Sequence, residues 1–195
     1  MNKLLGFYEL KSNGLPSVEW RKYNSGAELD NNILWTIRSA VEKGDDLNLP
    51  RLIGATSEEA KKFADNLLFK LGENDLIIYY PYFIAEKSGV LEIALDKIVI
   101  EAVYEDLWNL VTNNNKDVTI IISDNEKTII GEGNFFDDNE LAKLLSYVSM
   151  LKNRYRDYLF EGKSIFLEWS FSYKSTVDKN KIGDKTLVFY EIRTV

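Results

Sequence analysis

The chain has 195 residues, of which 45% are hydrophobic and 28% are charged, and these proportions are typical of soluble globular proteins. Lys and Arg total 24 against 31 Asp and Glu, so the net charge of −7 disfavours binding to nucleic acid through its phosphates. Cysteine and histidine are both absent, which excludes disulfides, thiolate or imidazole metal sites, and Ser-His-Asp or Cys-His catalysis. The remaining carboxylates, Lys, Arg and Tyr suit Mg²⁺ and phosphate.

Targeting signals are not evident in the sequence. The longest apolar runs, such as Leu76–Ile84, are shorter than the roughly 18 residues that a membrane-spanning helix needs. The segment Met1–Leu10 lacks the apolar core of a signal peptide. We therefore expect a cytoplasmic protein that does not contact a membrane.

The first half of the chain predicts few regular elements. The first 30 residues are rich in turn residues, which predicts loops with one short helix. Asn32–Lys43 fits either a helix or a buried strand, because its apolar run is too short for periodicity to decide. Thr56–Glu59 has the sequence of a capping box, and apolar residues at helical spacing follow it up to Gly72, so a helix is predicted there.

The second half predicts mostly strands. From Leu76 to Ser123 the runs LIIYYPYFI, GVLEIA, KIVIEAV and DVTIIIS indicate β-structure, and Asp124–Glu126 predicts a hairpin into KTIIGEG. Asp137 or Asp138 caps a predicted long helix, whose apolar stripe is expected in the core and ends near Gly162. Two antiparallel strands, SIFLEWSFSY and TLVFYEIRTV, close the chain. This order predicts an α+β fold.

Two carboxylates lie inside apolar strands near the end of the chain. They are Glu168 in FLEWSF and Glu191 in VFYEIR. On paired strands they can share one face, where close carboxylates repel each other unless a cation such as Mg²⁺ lies between them. The alternation of strand side chains gives the competing interpretation, in which both simply point to solvent.

Two further segments contain candidate nucleotide-binding residues. Arg38 lies in the apolar run LWTIRSAV, where a half-buried guanidinium needs either a phosphate or an internal carboxylate as its partner. Tyr80, Tyr82 and Phe83 flank Pro81 in a strand that loses one hydrogen-bond donor at the proline. These aromatic side chains form either an adenine slot or part of the core.

Several segments match the motifs of one enzyme family in their order along the chain. Leu10–Pro16 is similar to a stretch that ends in Gly-hydrophobic-Pro, and Ile37–Ala40 to a Val-Arg-Ser-Ser-Ala strand. Tyr80–Val90 is similar to a strand that reads Val-Gln-x-Met-Val and continues to Ser-Gly-Val, with Tyr80 and Tyr82 at the Gln and Met positions. In this order the segments resemble the nucleotide-binding, ATP-grasp-like N-terminal domain of the phosphoenolpyruvate synthase and pyruvate phosphate dikinase family.

The last two strands extend the resemblance. FLEWSF resembles the family's Asp-Ile-Glu-Trp, and FYEIRTV resembles its terminal Gln-x-Arg-Pro strand. In that family the Asp, Glu and Gln hold metal and nucleotide phosphate. Here Phe166 stands at the Asp position and Glu191 at the Gln position, whereas Glu168 and Arg193 are retained.

Other family motifs are altered. IVIEAVYEDLWNLV is similar to the family's Ile-x-Ala-x-x-Gly-Leu-Gly-Glu-x-x-Val element, but Glu105, Leu107 and Trp108 stand at its Gly, Gly and Glu positions. The Gly-Lys-Gly sequence near the family's N-terminus is missing, and with it a lysine that binds phosphate.

The resemblance implies a fold and a set of site residues. The fold is α+β and ATP-grasp-like, with two small lobes of mostly antiparallel sheet and packed helices, in one domain over residues 1–195 with lobes 1–80 and 81–195. The implied catalytic residues are Arg38, Glu168 and Glu191, and both glutamates are implied Mg²⁺ ligands. The implied nucleotide contacts are Arg38, Tyr80, Tyr82, Phe83 and Arg193.

The resemblance also implies the function, which is binding of Mg-ATP. Phe166 removes a charge where phosphoryl transfer needs one, so we rank binding above catalysis. One alternative is a magnesium-dependent phosphotransferase component that passes phosphate from ATP to a separate partner protein bearing a phosphohistidine domain, because this chain has no histidine. A further alternative is a protein-interaction domain that binds no nucleotide.

Overall fold

The computed structural model describes residues 3–41, 49–70, 75–107, 110, 116–124 and 126–195. Gly72, Trp108 and Asn125, on which parts of the predictions above rest, lie outside these ranges. The described helices are α1 (Lys3–Ser12), α2 (Ser57–Leu68), α3 (Asp138–Leu145), α4 (Val148–Arg154) and α5 (Arg156–Phe160). The strands are β1 (Arg21–Lys22), β2 (Trp35–Val41), β3 (Arg51–Ala55), β4 (Asp75–Pro81), β5 (Phe83–Ile93), β6 (Lys97–Tyr104), β7 (Val118–Ser123), β8 (Glu126–Gly131), β9 (Ile165–Ser175) and β10 (Lys181–Thr194).

Most predicted elements are confirmed. The undecided segment Asn32–Lys43 contains strand β2, and α2 begins at the predicted capping box, in which the Thr56 side chain accepts a hydrogen bond from the Glu59 backbone N–H. The predicted long helix is wrong, because three short helices replace it. The chain leaves helical geometry at Tyr155, where φ is −103° and ψ is 21°. The hydroxyl of this buried tyrosine is held by the Glu9 carboxylate and the Asn13 amide, and this anchor coincides with the break between α4 and α5.

One compact unit comprises Met1–Tyr8, Val18–Ile84 and Tyr173–Lys185. Its four strands are antiparallel in the order β1-β4-β2-β3, and α2 packs on one face of this sheet. That face and the helix bury an apolar cluster that includes Trp35, Ile37, Ala60, Ala64, Ile77 and Tyr79. Since strand side chains alternate, Thr36, Arg38, Ile78 and Tyr80 face the opposite side of the sheet.

A second compact unit comprises Glu9–Ser17, Ala85–Ser172 and Thr186–Val195. It contains most of a six-stranded sheet in the order β10-β9-β5-β6-β7-β8. The helices pack on one face, where Phe136 lies 5.6 Å from Trp169 and Tyr147 lies 5.5 Å from Phe189, measured between ring centroids. A smaller apolar cluster of Val90, Val103, Leu107 and Leu110 is joined by Phe166 and Tyr190. We call the face that carries Phe166 and Tyr190 the open face.

The fold is α+β, with two mostly antiparallel sheets and few helices, as predicted. None of the described helices combines the length and the apolar composition needed to cross a membrane.

The close packing of Trp169 against β5 depends on the absence of a side chain at Gly89. A Cβ at this position would lie 2.3 Å from the Glu101 carbonyl oxygen and 2.6 Å from Cζ2 of Trp169, whose side chain is fully buried. We expect Gly89→Ala to lower the free energy of unfolding by about 1–3 kcal/mol, because neither neighbour can move freely. Urea denaturation measures this change.

Gly133 supplies the matched control, because a Cβ there meets nothing within 4 Å. Gly133→Ala is expected to change stability by less than about 0.5 kcal/mol. Equal stability of the two variants would contradict the close approach of Trp169 to β5.

Candidate functional site

The candidate site in the second unit is built on the hairpin of β9 and β10. These two strands are neighbours in the sheet, and Ser164 and Val195 exchange two backbone hydrogen bonds of 2.9 and 3.0 Å, which makes the pairing antiparallel. The predicted pairing of the last two strands is therefore confirmed. Counting inward from Ser164 and Val195 places Phe166 opposite Arg193 and Glu168 opposite Glu191.

The register of the hairpin shifts by one residue beside the two glutamates. Leu187 and Phe189 are buried, but the next buried residue on β10 is Ile192, so the alternation changes between Phe189 and Ile192. The Thr186 hydroxyl lies 3.5 Å from the Ser172 carbonyl, which fits the shifted register. This pattern indicates a β-bulge at Tyr190 and Glu191, both opposite Glu168. The two glutamates therefore share the open face, away from the helices.

Arg193 lies flat against an aromatic ring on the open face. Its Cζ is 4.6 Å from the centroid of the Phe166 ring, and its Nη1 is 3.4 Å from Oε1 of Glu191. The Arg193 side chain is 43% exposed and that of Glu191 is 14% exposed. A guanidinium in this position stacks on the ring and neutralises part of the charge of the nearby carboxylate.

Tyr190 belongs to a small network of hydroxyl groups that joins β10, β9 and β5 on the open face. The Ser170 hydroxyl lies 3.2 Å from the Tyr190 hydroxyl and 2.7 Å from the Ser88 hydroxyl, and Tyr190 donates to the Trp169 carbonyl over 3.3 Å. Burial raises the pKa of the Tyr190 phenol well above its usual range, and the negative charges of Glu168 and Asp106 raise it further. The phenol therefore stays protonated and remains a hydrogen-bond donor.

The predicted Mg²⁺ would need several oxygen ligands on the open face. No group of three or more acidic side chains with the geometry of a metal site occurs among the residues that the structure describes. One of the two predicted ligands, Glu191, already has Arg193 beside it, and a third position is occupied by the apolar Phe166. The donor set of the open face therefore does not fit a metal held by the protein alone.

Arg38 lies in the first unit, on the sheet face opposite α2. Arg38 is paired with Arg51 on β3 and with Ile78 on β4, and Ile78 is paired with Lys22 on β1. Directly paired residues point to the same face, so Lys22, Arg38 and Arg51 form one row of three cations across the sheet. We call this row the basic rung. Arg38 is half-buried, whereas Lys22 and Arg51 are exposed.

The aromatic residues predicted for the adenine slot have different surroundings. Tyr80 is buried, and its ring centroid lies 6.2 Å from that of Phe7. Tyr82 and Phe83 are half-buried and nearly parallel, with ring centroids 6.5 Å apart and an interplanar angle of 11°. Tyr80 thus belongs to the packed interior, while Tyr82 and Phe83 offer partly accessible flat surfaces.

The sequence analysis missed several residues of these sites, among them Tyr190 and Arg51. Tyr190 has the sequence context of an ordinary aromatic residue in a strand. The available signal was its partner Ser170, which lies two residues after Glu168 and therefore shares its face of β9. Arg51 was missed because β3 has only five residues, one of which is Gly54 with φ +65°. The pairing of Arg51 with Arg38 is a tertiary feature that no local pattern contains.

The Tyr190 phenol predicts a change of stability with pH. Its pKa is raised above the ordinary value of 10.0. The contribution of the phenol to the free energy of unfolding is therefore complete below about pH 10. This contribution is lost as the pH rises further, because the phenol ionises first in the unfolded chain. We expect Tyr190→Phe to be less stable at neutral pH by about 1 kcal/mol, and this difference to shrink between about pH 9 and 11. Urea denaturation at several pH values measures both curves. Parallel curves for the two proteins would contradict the burial of the phenol.

Comparisons with known proteins support the fold. No protein-family model matches the sequence, and no curated protein matches it. Among solved structures, the chain is similar to the ADP complex of purK, an N5-carboxyaminoimidazole ribonucleotide synthetase, with a TM-score of 0.53, 12% identity, and coverage of 98% of this chain and 44% of that chain. It is also similar to D-alanine-D-alanine ligase from Helicobacter pylori, with a TM-score of 0.49, 14% identity, and coverage of 98% and 50%. The chain spans about half the length of these two proteins. The likeness to the purK structure supports an ATP-grasp-like fold.

Proposed function

We propose that this chain binds a nucleotide, with ATP or ADP as the ligand. The observation that carries the proposal is the basic rung, where three cations lie in one row in a protein whose net charge is −7. Arg38 and Arg51 are directly opposite each other, whereas Ile78 on β4 lies between Arg38 and Lys22. Two adjacent guanidinium groups can donate several hydrogen bonds to one polyphosphate. The fold supports the same ligand, since the similar purK structure is an ADP complex.

The residue roles in this proposal follow from the chemistry of each side chain. Arg38 holds phosphate oxygens, because a planar guanidinium presents several donors to an anion and stays charged at all ordinary pH values. Tyr82 and Phe83 provide the surface for the base, since stacking of a base on an aromatic ring contributes about 1–3 kcal/mol. Tyr80 supports this strand from the interior, where it packs against Phe7.

Binding is favoured over catalysis by the open face of the second unit. Phosphoryl transfer depends on positioning and on neutralisation of charge. Glu168 and Glu191 would be the reactive carboxylates in an enzyme, but Phe166 and the pairing of Glu191 with Arg193 reduce their capacity to hold a metal. We therefore propose a nucleotide-binding module that is weakly active or inactive alone, related to the phosphoenolpyruvate synthase family by the motifs described above.

The alternative function is a phosphotransferase component that acts on a histidine of a partner protein. The observation in its favour is that Glu168, Glu191 and Arg193, the residues implied by the resemblance, share one face of the sheet. Labelled phosphate appearing on a histidine-bearing protein after incubation with this chain and ATP would favour this alternative.

The proposed function predicts that ATP stabilises the folded chain. A ligand at 100 times its dissociation constant adds about 2.7 kcal/mol to the free energy of unfolding. Arg38→Ala should weaken ATP binding by roughly 1.5–3 kcal/mol, the scale of a hydrogen bond to a charged group. Isothermal titration calorimetry measures the affinity, and thermal unfolding with and without ATP measures the stabilisation.

Arg156→Ala is the matched control, because Arg156 is an exposed arginine of helix α5 outside the basic rung. It should bind ATP as the unaltered chain does. If Arg38→Ala and the unaltered chain have the same affinity for ATP, the assignment of the phosphate site to the basic rung is wrong.

A further inference from the structure

The open face carries a positively charged side chain, Arg193, beside Glu191. Glu168 and Glu191 are opposite each other on β9 and β10, and Arg193 follows Glu191 by two residues on the same face. The contact between Nη1 of Arg193 and Oε1 of Glu191 is 3.4 Å. A guanidinium cannot lose its proton at any ordinary pH, so its charge is permanent.

The guanidinium packs against Phe166 on one side. Phe166 lies under it at 4.6 Å and is itself packed against the apolar cluster of Val90 and Val103. The Nε atom of Arg193 is buried and has no hydrogen-bond partner among the described residues. Rotation of the Arg193 side chain away from Glu191 would give up its stacking on the Phe166 ring.

We infer that Arg193 is the resident cation of the open face and takes the place of a divalent ion at Glu191. A divalent ion bound to this carboxylate would lie within a few ångströms of the guanidinium, and the repulsion of like charges at that distance opposes its binding. Phe166 contributes in two ways, because it holds the guanidinium and offers no oxygen ligand to a metal. At Glu191, the charge that a metal ion would balance is thus already balanced by Arg193.

The test uses Mn²⁺ alone, titrated into the full chain and followed by the electron paramagnetic resonance signal of the free ion. We expect weak uptake by the unaltered chain and uptake at least roughly tenfold tighter by Arg193→Met, which removes the resident charge. Arg193→Lys keeps the charge and should behave as the unaltered chain does. The double variant Arg193→Met with Glu191→Gln should lose the gained uptake, which assigns it to Glu191.

Arg156→Met is the matched control, because Arg156 also stacks on a phenylalanine, with its Cζ 5.3 Å from the Phe160 ring. It should leave Mn²⁺ uptake unchanged. Thermal unfolding shows whether each variant is folded. If Arg193→Met does not fold, Arg193→Gln, which also removes the charge, takes its place in the titration.

Two results would overturn the inference. One is a tight Mn²⁺ site in the unaltered chain that Glu191→Gln removes. The other is uptake of Mn²⁺ by Arg193→Met that is no tighter than uptake by Arg156→Met.

Discussion

The open face is organised by the opposition of two carboxylates on neighbouring strands. Glu168 and Glu191 lie opposite each other because β9 and β10 pair from Ser164 and Val195 inward. Two such charges at close range are unfavourable unless a cation neutralises them. Arg193 supplies such a cation for Glu191, and its guanidinium stacks on the Phe166 ring.

The rest of the second unit supports that hairpin through close packing. Trp169 directly follows Glu168 in sequence, but its side chain points to the helix-covered face. Gly89 leaves room there for the Trp169 ring. The hydroxyl groups of Ser88 and Ser170 then connect β5 to β9, and Tyr190 joins them from β10. A bulge at Tyr190 and Glu191 turns both side chains toward the open face, which an unbroken strand could not do.

Much of this architecture follows from local sequence patterns. The capping box at Thr56 predicted α2, and runs of β-branched residues predicted β6 and β7, because these signals depend on neighbours in sequence. The predicted long helix is interrupted twice. The second break is at Tyr155, whose hydroxyl is bound by Glu9 and Asn13 from a distant part of the chain. Periodicity contains no information on such an anchor.

The site residues show the same division between local and tertiary information. The positions of Glu168 and Glu191 inside apolar strands predicted a shared face, and the hairpin register agrees. The stacking of Arg193 on Phe166 depends on which residues lie opposite each other, and the bulge changes that register. The basic rung depends in the same way on the pairing of Lys22, Arg38 and Arg51 across three strand boundaries.

Hydrogen–deuterium exchange with and without ATP tests the central claim, that the chain binds a nucleotide, most directly. Our account predicts slower exchange in the presence of ATP for peptides that cover β2, which contains Arg38. Peptides that cover the exposed strand β8 (Glu126–Gly131) serve as an internal reference and should not change. The absence of any change on adding ATP, or a change confined to β8, would contradict the account.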